Sequence, residues 1–260
     1  MAIVTFMSDS GMSDHYVSAV KAKILSVNPG LRVFDITHNI EPFNLAHAAF
    51  ILKSVYKDFQ KGTVHLVAVN SHGEKNNRFL AAKINDHIFL GADNGLFSII
   101  CDNEPSMVAE LFRNDDGHTS FPEKNILAKA AAMLASGSGM NDVGAYTNDY
   151  IRRTDRKFRA TKKQISGNII RVDHFGNLIT NIEEEVFNML WKDRKFIVQF
   201  GREKVDCINN SYNEMDDGDC FVLFNDLGLL EIGINKGNAS RLLGLRYDSP
   251  VNIIFDDVDI

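Results

Sequence analysis

Four short polar clusters hold the side chains of this sequence that could do chemistry. The first is Ser8-Asp9-Ser10-Gly11 with Asp14, directly after an apolar run at residues 2–7. A carboxylate in that place accepts two hydrogen bonds from a vicinal diol such as that of ribose; the same pattern also makes a turn and a helix cap. The second, residues 70–78 (NSHGEKNNR), puts Asn70, His72 and Arg78 in one loop. The third is Asp93-Asn94-Gly95-Leu96, whose plain alternative is a simple turn. The fourth joins Asp173-His174-Phe175-Gly176-Asn177 to Thr180-Asn181. A phenylalanine ring can stack on a flat base and an asparagine can read a base edge with its donor and acceptor. The alternatives there are a core aromatic and a turn residue.

The elements that must position these clusters follow from hydrophobic spacing. Residues 2–7 read as a strand. Tyr16, Val20, Ile24 and Val27 recur every three to four residues, which predicts a helix over 14–27 with Asp14 at its N-cap. Residues 32–36 predict a second strand, 42–59 a second helix, and the continuous apolar run 63–69 a buried third strand. Asn85-Asp86 sits at hairpin spacing between strands at 78–84 and 87–91. Residues 125–135 are helical by composition. Strand–helix alternation of this kind predicts an α/β domain with a largely parallel sheet, and such sheets bind ligands at strand ends.

Character changes near residue 152. The basic stretch RRTDRKFRATKK reads as a solvated linker. Beyond it, short strands at 164–173, 195–201, 220–225, 229–234 and 251–255 alternate with Gly-, Asn- and Asp-rich turns, which predicts a small all-β barrel or sandwich. The expected division is an α/β domain over 1–155 and a β domain over 165–260. A net charge of −6 argues against nucleic-acid or anionic-membrane binding, and no apolar run reaches bilayer length. Three cysteines without a CxxC pair, and eight scattered histidines, imply reduced thiols, a cytoplasmic setting and no metal site. No GxGxxG follows the first strand, which counts against a dinucleotide-binding enzyme.

Taken together and in order, the segments SDSGMSDHYVSAVKAKILSVNPG, FDITHNIEPFNLAHAAFIL, KGTVHLVAVN, GADNGLFS, VDHFGNLITNI and LGLLEIGINKGNAS resemble the S-adenosyl-L-methionine (SAM) hydroxide adenosyltransferases, relatives of the SAM-dependent chlorinase and fluorinase. The resemblance implies an N-terminal α/β domain, a C-terminal β-barrel, and a homotrimer whose ligand lies where one subunit's N-terminal domain meets its neighbour's C-terminal domain. SAM is then substrate, and no cofactor is implied. By position, Asp9 matches the ribose-holding aspartate and Asp14 the carboxylate facing the methionine ammonium. Phe43 matches an apolar wall near the ribose, and Phe175, Asn177 and Tyr212 match the adenine pocket. Asp226-Leu227-Gly228 and Asn235-Lys236-Gly237-Asn238 match segments closing over methionine and adenine.

The chain departs from the hydrolase branch where that branch uses Asp, Arg and His near the attacking water. Asn70 stands in the Asp position, Asn77 in the Arg position with Arg78 beside it, and Pro122 in the His position. An asparagine can orient a water but cannot take its proton. A sulfonium is already a good leaving group, so alignment and desolvation of the water could sustain the reaction. The expected activity is SAM hydrolysis to adenosine and methionine, with Asn70, His72 and Arg78 as catalytic candidates. The alternatives are a SAM- or adenosine-binding protein without turnover, and a halide-using relative.

Overall fold

The computed structural model describes residues 3–72, 77–101, 103–113, 119–154 and 156–256, so residues 73–76 of the second polar cluster lie outside it. The chain forms two compact units, Met1–Asp155 and Arg156–Ile260. No helix among the described residues is long and apolar enough to cross a membrane.

The first unit runs β1 (Ile3–Ser8), α1 (Tyr16–Val27), β2 (Arg32–Thr37), α2 (Leu45–Val55), β3 (Val64–Ala68), β4 (Phe79–Ile84), β5 (His87–Ala92), α3 (Leu96–Ile100), β6 (Met107–Leu111), α4 (Ala128–Ala135), α5 (Met140–Val143) and β7 (Gly144–Tyr146). Its sheet has the order β2-β1-β3-β5-β4-β6-β7. Alternate residues of β1 and β3 feed two apolar layers, because side chains alternate across a strand. Val4, Phe6, Leu66 and Ala68 pack with α1 residues Val17, Val20 and Ile24 and with the alanine face of α4. Met7 and Val67 pack with Ala48, Ala49 and Leu52 of α2 and with Leu96 and Phe97 of α3. Helices thus cover both faces, and each fully buried leucine or phenylalanine contributes about 1.5–3 kcal/mol.

The sheet is mixed rather than largely parallel. β2, β1, β3 and β5 pair in parallel, whereas β4, β6 and β7 join by antiparallel pairings. The cause is local. Asn85 and Asp86 both have positive φ, 48° and 65°, the geometry of a two-residue hairpin turn. That turn folds β4 back onto β5, and β6 then adds outside it. Helix α1 also starts later than its spacing predicts. His15 occupies the N-cap position and no side chain caps the helix, so Asp14 is an exposed residue ahead of it.

The second unit contains β8 (Arg159–Ala160), β9 (Gln164–Val172), β10 (Leu178–Glu183), α6 (Glu184–Trp191), β11 (Phe196–Phe200), β12 (Glu203–Val205), β13 (Cys220–Phe224), β14 (Leu229–Ile234), α7 (Ala239–Leu243) and β15 (Pro250–Phe255). The strands form one antiparallel, nearly closed, barrel-like sheet in the order β12-β11-β15-β9-β10-β14-β13, with β8 on β9. Its interior is filled by Ile165, Leu178, Phe187, Val198, Phe200, Ile232 and Ile253.

The basic stretch is not a free linker at its start. Arg152 pairs with Glu104 at 3.2 Å and lies over the Tyr150 ring. Arg153 donates from Nε to the Asn94 carbonyl at 2.9 Å, and its backbone amide donates to Ser98.

Candidate functional site

Strand order locates the site of the first unit. From β1 the chain passes through α1 to β2 on one side, then through α2 to β3 on the other. The carboxyl ends of β1 and β3 therefore flank a topological switch point, where open α/β sheets leave a crevice. Asp9 directly follows β1, and Asn70 stands two residues beyond β3.

Asp9 Oδ2 accepts two backbone hydrogen bonds, from the Phe43 amide at 2.9 Å and the Asn70 amide at 3.1 Å. Both donors sit in the left-handed region, Phe43 at φ 64° and Asn70 at φ 49°. Such a conformation costs about 1–3 kcal/mol per residue and persists only where surroundings hold it. Here a carboxylate holds it through charge-assisted bonds. Asp9 Oδ1 has no partner among the described residues, so one oxygen shapes the loops and the other remains to accept from a ligand. The Phe43 ring, 73% exposed, stands beside this oxygen's loop with no apolar cover of its own.

The third polar cluster braces the end of β3. Asn94, fully buried, donates from Nδ2 to the carbonyls of Val69 at 3.0 Å and Asn70 at 3.4 Å, and accepts from the Leu96 amide. Asp93 accepts from the Ile151 amide at 2.8 Å. Gly95 has φ 89°, and a Cβ there would run into the Arg153 side chain. This cluster is structural support for Asn70. The Asn70 side-chain amide itself has no partner among the described residues.

The other turnover candidates have different surroundings. Arg78 points its guanidinium into carboxylates: Glu110 at 3.1 Å, Asp149 at 2.8 Å and Asp93 at 3.7 Å. His72 is exposed. Between it and Asn70 lies Ser71, which spacing alone did not single out. Ser71 is 8% exposed, and its buried hydroxyl has no hydrogen-bond partner among the described residues. A buried hydroxyl without a partner costs about 1–3 kcal/mol, so this atom calls for a water or ligand. A cavity of about 310 Å³ lies at the opposite, amino ends of β3 and β5, lined by Lys83, Met107, Leu134 and Tyr146 among others. It shares no residue with the Asp9 cluster.

In the second unit, the fourth polar cluster turns between β9 and β10. Asp173 accepts from the Asn177 amide at 2.8 Å and from its Nδ2 at 3.2 Å, so both carboxylate oxygens fix Asn177. Gly176, at φ 92°, is held against Asn238, which caps α7 by accepting from the Arg241 amide. The turn leaves Phe175 73% exposed. Thr180 and Asn181 are buried on β10, and Asn181 bonds the Asn168 amide and the Arg156 carbonyl; they shape the sheet.

Glu231 on β14 ties the remaining candidates together, and its place inside an apolar strand hid it in the sequence. It is 3% exposed and accepts from Tyr212 Oη at 3.2 Å and Asn225 Nδ2 at 2.9 Å. Burial pushes its carboxyl up, opposed by these two bonds and aided by Asp173 and Asp226. Burial, with Glu231 beside it, pushes Tyr212 up to about 12. Asn225 Oδ1 accepts from the Leu227 and Leu229 amides, which shapes the exposed Asp226-Leu227-Gly228 turn. Among the described residues, no group of three or more His, Cys, Asp or Glu could hold a metal ion.

Two family models match this chain. Residues 4–144 match the SAM hydroxide adenosyltransferase N-terminal domain, and residues 167–252 match the C-terminal domain. The chain belongs to the SAM hydroxide adenosyltransferase family. A protein of Methanocaldococcus jannaschii named (R)-S-adenosyl-L-methionine hydrolase is 27% identical, with 97% of this chain and 96% of that one aligned. One of the same name from Thermus thermophilus is 28% identical, over 98% and 100%. A fluorinase of an Actinoplanes species is 26% identical over 69% of this chain and 71% of its own. The crystal structure of an uncharacterized conserved protein from Thermotoga maritima superposes with a TM-score of 0.87 at 30% identity, covering 96% and 99%. As a SAM hydroxide adenosyltransferase, the chain carries Asp9, Asp14, Phe43, Asn70, His72 and Arg78 within the N-terminal match. Phe175, Asn177, Tyr212 and Asp226 fall within the C-terminal match.

Proposed function

We propose that this protein is a SAM hydrolase, in which water attacks the ribose C5′ and methionine leaves. The observation that carries the reading is Asp9. Its carboxylate sits at the switch point with one oxygen occupied by two backbone amides and the other without a partner among the described residues, in a chain whose relatives are named for this reaction. Asp9 Oδ1 accepts from a ribose hydroxyl. The exposed Phe43 ring walls the sugar, and Phe175 stacks on the purine while Asn177, fixed by Asp173, reads its edge. Tyr212 completes the adenine pocket, and Asp14 and Asp226 face the methionine end, where the ligand carries an ammonium.

For the chemical step, the O–C5′ bond forms as the C5′–S bond breaks, and the sulfur takes the bonding pair and becomes neutral. One proton leaves the attacking water. Asn70 can only align that water, and the proton passes to solvent or to His72. Arg78, already among carboxylates, shapes the loop. General-base assistance is typically worth about 10²–10⁴ in rate, so turnover without the usual Asp is slower and does not need a metal or cofactor to be written.

Incubating the protein with each sulfonium epimer of SAM, with and without chloride, tests this directly. Enzyme-dependent adenosine and methionine is the expected result, and the relatives' names direct attention to the R epimer. A 5′-halo-adenosine would make it a halogenase instead. Saturable binding with no product would favour a sensor, the reading that the Asn70 and Pro122 replacements favour. We also propose the homotrimer that the resemblance implies, with each site drawing on two copies. Asp9→Ala and Phe175→Ala chains, each impaired when assayed at SAM well below KM, then regain about a quarter of wild-type sites when unfolded and reassembled at equal amounts by random association. Activity no higher than the mean of the two variants alone rejects shared sites.

A further inference from the structure

Behind Asp9 runs a chain of polar side chains, buried at Ser8 and His38 and open to solvent at Asp35 and Lys21, to which no role has been given. Ser8, fully buried on β1, places its Oγ 2.7 Å from His38 Nδ1. His38 is itself buried, with its ring edge-on to Phe6 at 4.6 Å. His38 Nε2 lies 3.1 Å from Asp35 Oδ1, off the ideal hydrogen-bond line, so that contact is mainly electrostatic. Asp35 Oδ2 meets Lys21 Nζ at 2.5 Å. Burial alone would raise the Asp35 carboxyl, but Lys21 and His38 bring it below its ordinary value. It is therefore an anion at neutral pH.

An anion at Nε2 requires a hydrogen on that nitrogen, so in neutral His38 Nδ1 accepts from the Ser8 hydroxyl. The Ser8 oxygen then accepts from the Ser10 amide at 3.4 Å. The His38 carbonyl accepts from the Gly11 amide at 2.8 Å. His38 thus acts on both sides of Asp9: its ring holds the Ser8 hydroxyl, which itself accepts from the Ser10 amide, and its carbonyl accepts from the Gly11 amide. The Ser8-His38-Asp35 order resembles a nucleophilic relay, but a serine with no exposure cannot meet a substrate.

We propose that His38 is a positioning residue, holding the Ser8–Gly11 loop so that Asp9 Oδ1 meets the ribose in one orientation. The proposal rests on the reading of Asp9 as the sugar anchor. A merely structural histidine would affect melting temperature; a positioning one affects affinity for the ribose-bearing ligand.

The test measures adenosine affinity by calorimetry, and KM and kcat for SAM, in Ser8→Ala, His38→Asn, their double variant and Asp9→Ala. Ser8→Ala and His38→Asn should each weaken adenosine binding and raise KM about tenfold, with kcat within about twofold. The double variant should match either single one, because they break one chain. If Asp9→Ala weakens adenosine binding while Ser8→Ala does not, His38 has no positioning role and the sugar anchor stands. If Asp9→Ala binds adenosine like wild type, the sugar anchor itself is wrong, and this proposal goes with it. Should His38→Asn fail to fold, Ser8→Ala, which removes a single oxygen, decides.

Discussion

Asp9 and Asp173 are the same residue type in two different circumstances. Asp9 gives one oxygen to two backbone amides and, among the described residues, keeps the other without a partner. Asp173 turns both oxygens onto Asn177, and Glu231 likewise gives both to Tyr212 and Asn225. In the first unit Asp9 keeps one carboxylate oxygen open among the described residues, whereas in the second Asp173 and Glu231 fix the shapes of neutral groups. The backbone explains the difference. Parallel strand ends bring amides of separate loops to one point, whereas the antiparallel β9–β10 turn closes Asp173 on its own Asn177.

The largest effect should come from removing the presented charge. Asp9→Ala loses a charge-assisted bond to ligand worth about 1.5–3 kcal/mol and also frees Phe43 and Asn70. A fall in kcat/KM of roughly 100-fold or more is expected from steady-state assays. A fall under fivefold would erase the contrast between the two aspartates. Phe175→Ala should come next. Base–aromatic stacking is worth about 1–3 kcal/mol per base, so adenosine should dissociate roughly 5- to 150-fold more readily, read by calorimetry, with kcat nearly unchanged. Asn70→Ala should do the reverse. It keeps the backbone amide on Asp9 but removes the group aligning water, so kcat should drop about tenfold with little change in KM, less than the roughly 100-fold that a 1 Å misplacement can cost. Equal changes in both constants would assign Asn70 to binding.

A smaller effect separates the two units by pH. In the first unit His65 bonds Thr5 at 2.7 Å and His87 at 3.1 Å, and burial, with His87 beside it, lowers His65 to about 3. The unfolded chain takes that proton near pH 6.5 while the folded chain does not. Its contribution is therefore whole above about pH 6.5 and declines as pH falls toward 3, by at most about 1.4 kcal/mol per pH unit. Glu231 in the second unit has the opposite sign. Its raised carboxyl favours the folded state toward acid, and that advantage is lost as pH rises through its folded value. Hydrogen exchange at pH 7 and pH 5 should show amides of β3 and β5 losing protection before those of β14. Simultaneous loss would mean that the His65 cluster does not set acid stability.

Much of this was legible in the chain. Asp9, Asn70, Phe175 and Asn177 stand at strand ends and turns that apolar spacing marks out, and Asn85-Asp86 announces its hairpin. Other features were not legible because they depend on partners distant in sequence. Glu231 looks like a lapse in an apolar strand until Tyr212 and Asn225 arrive beside it. Ser8 and His38 lie thirty residues apart, and no local pattern links them. Arg152 and Arg153 read as solvated because charge runs usually are, and they are exposed, but their partners Glu104 and the Asn94 carbonyl lie far off in sequence.

By itself, the order of residues determined the periodicities, the turns and the kinds of side chain at each strand end, because these depend on neighbours a few positions away. The tertiary structure alone decided that β6 and β7 add antiparallel outside the hairpin, that Arg78 faces carboxylates and that, among the described residues, Asp9 keeps one oxygen without a partner. Each of those depends on which distant backbone or charge comes to lie within about 3 Å, a distance at which hydrogen bonds form or fail.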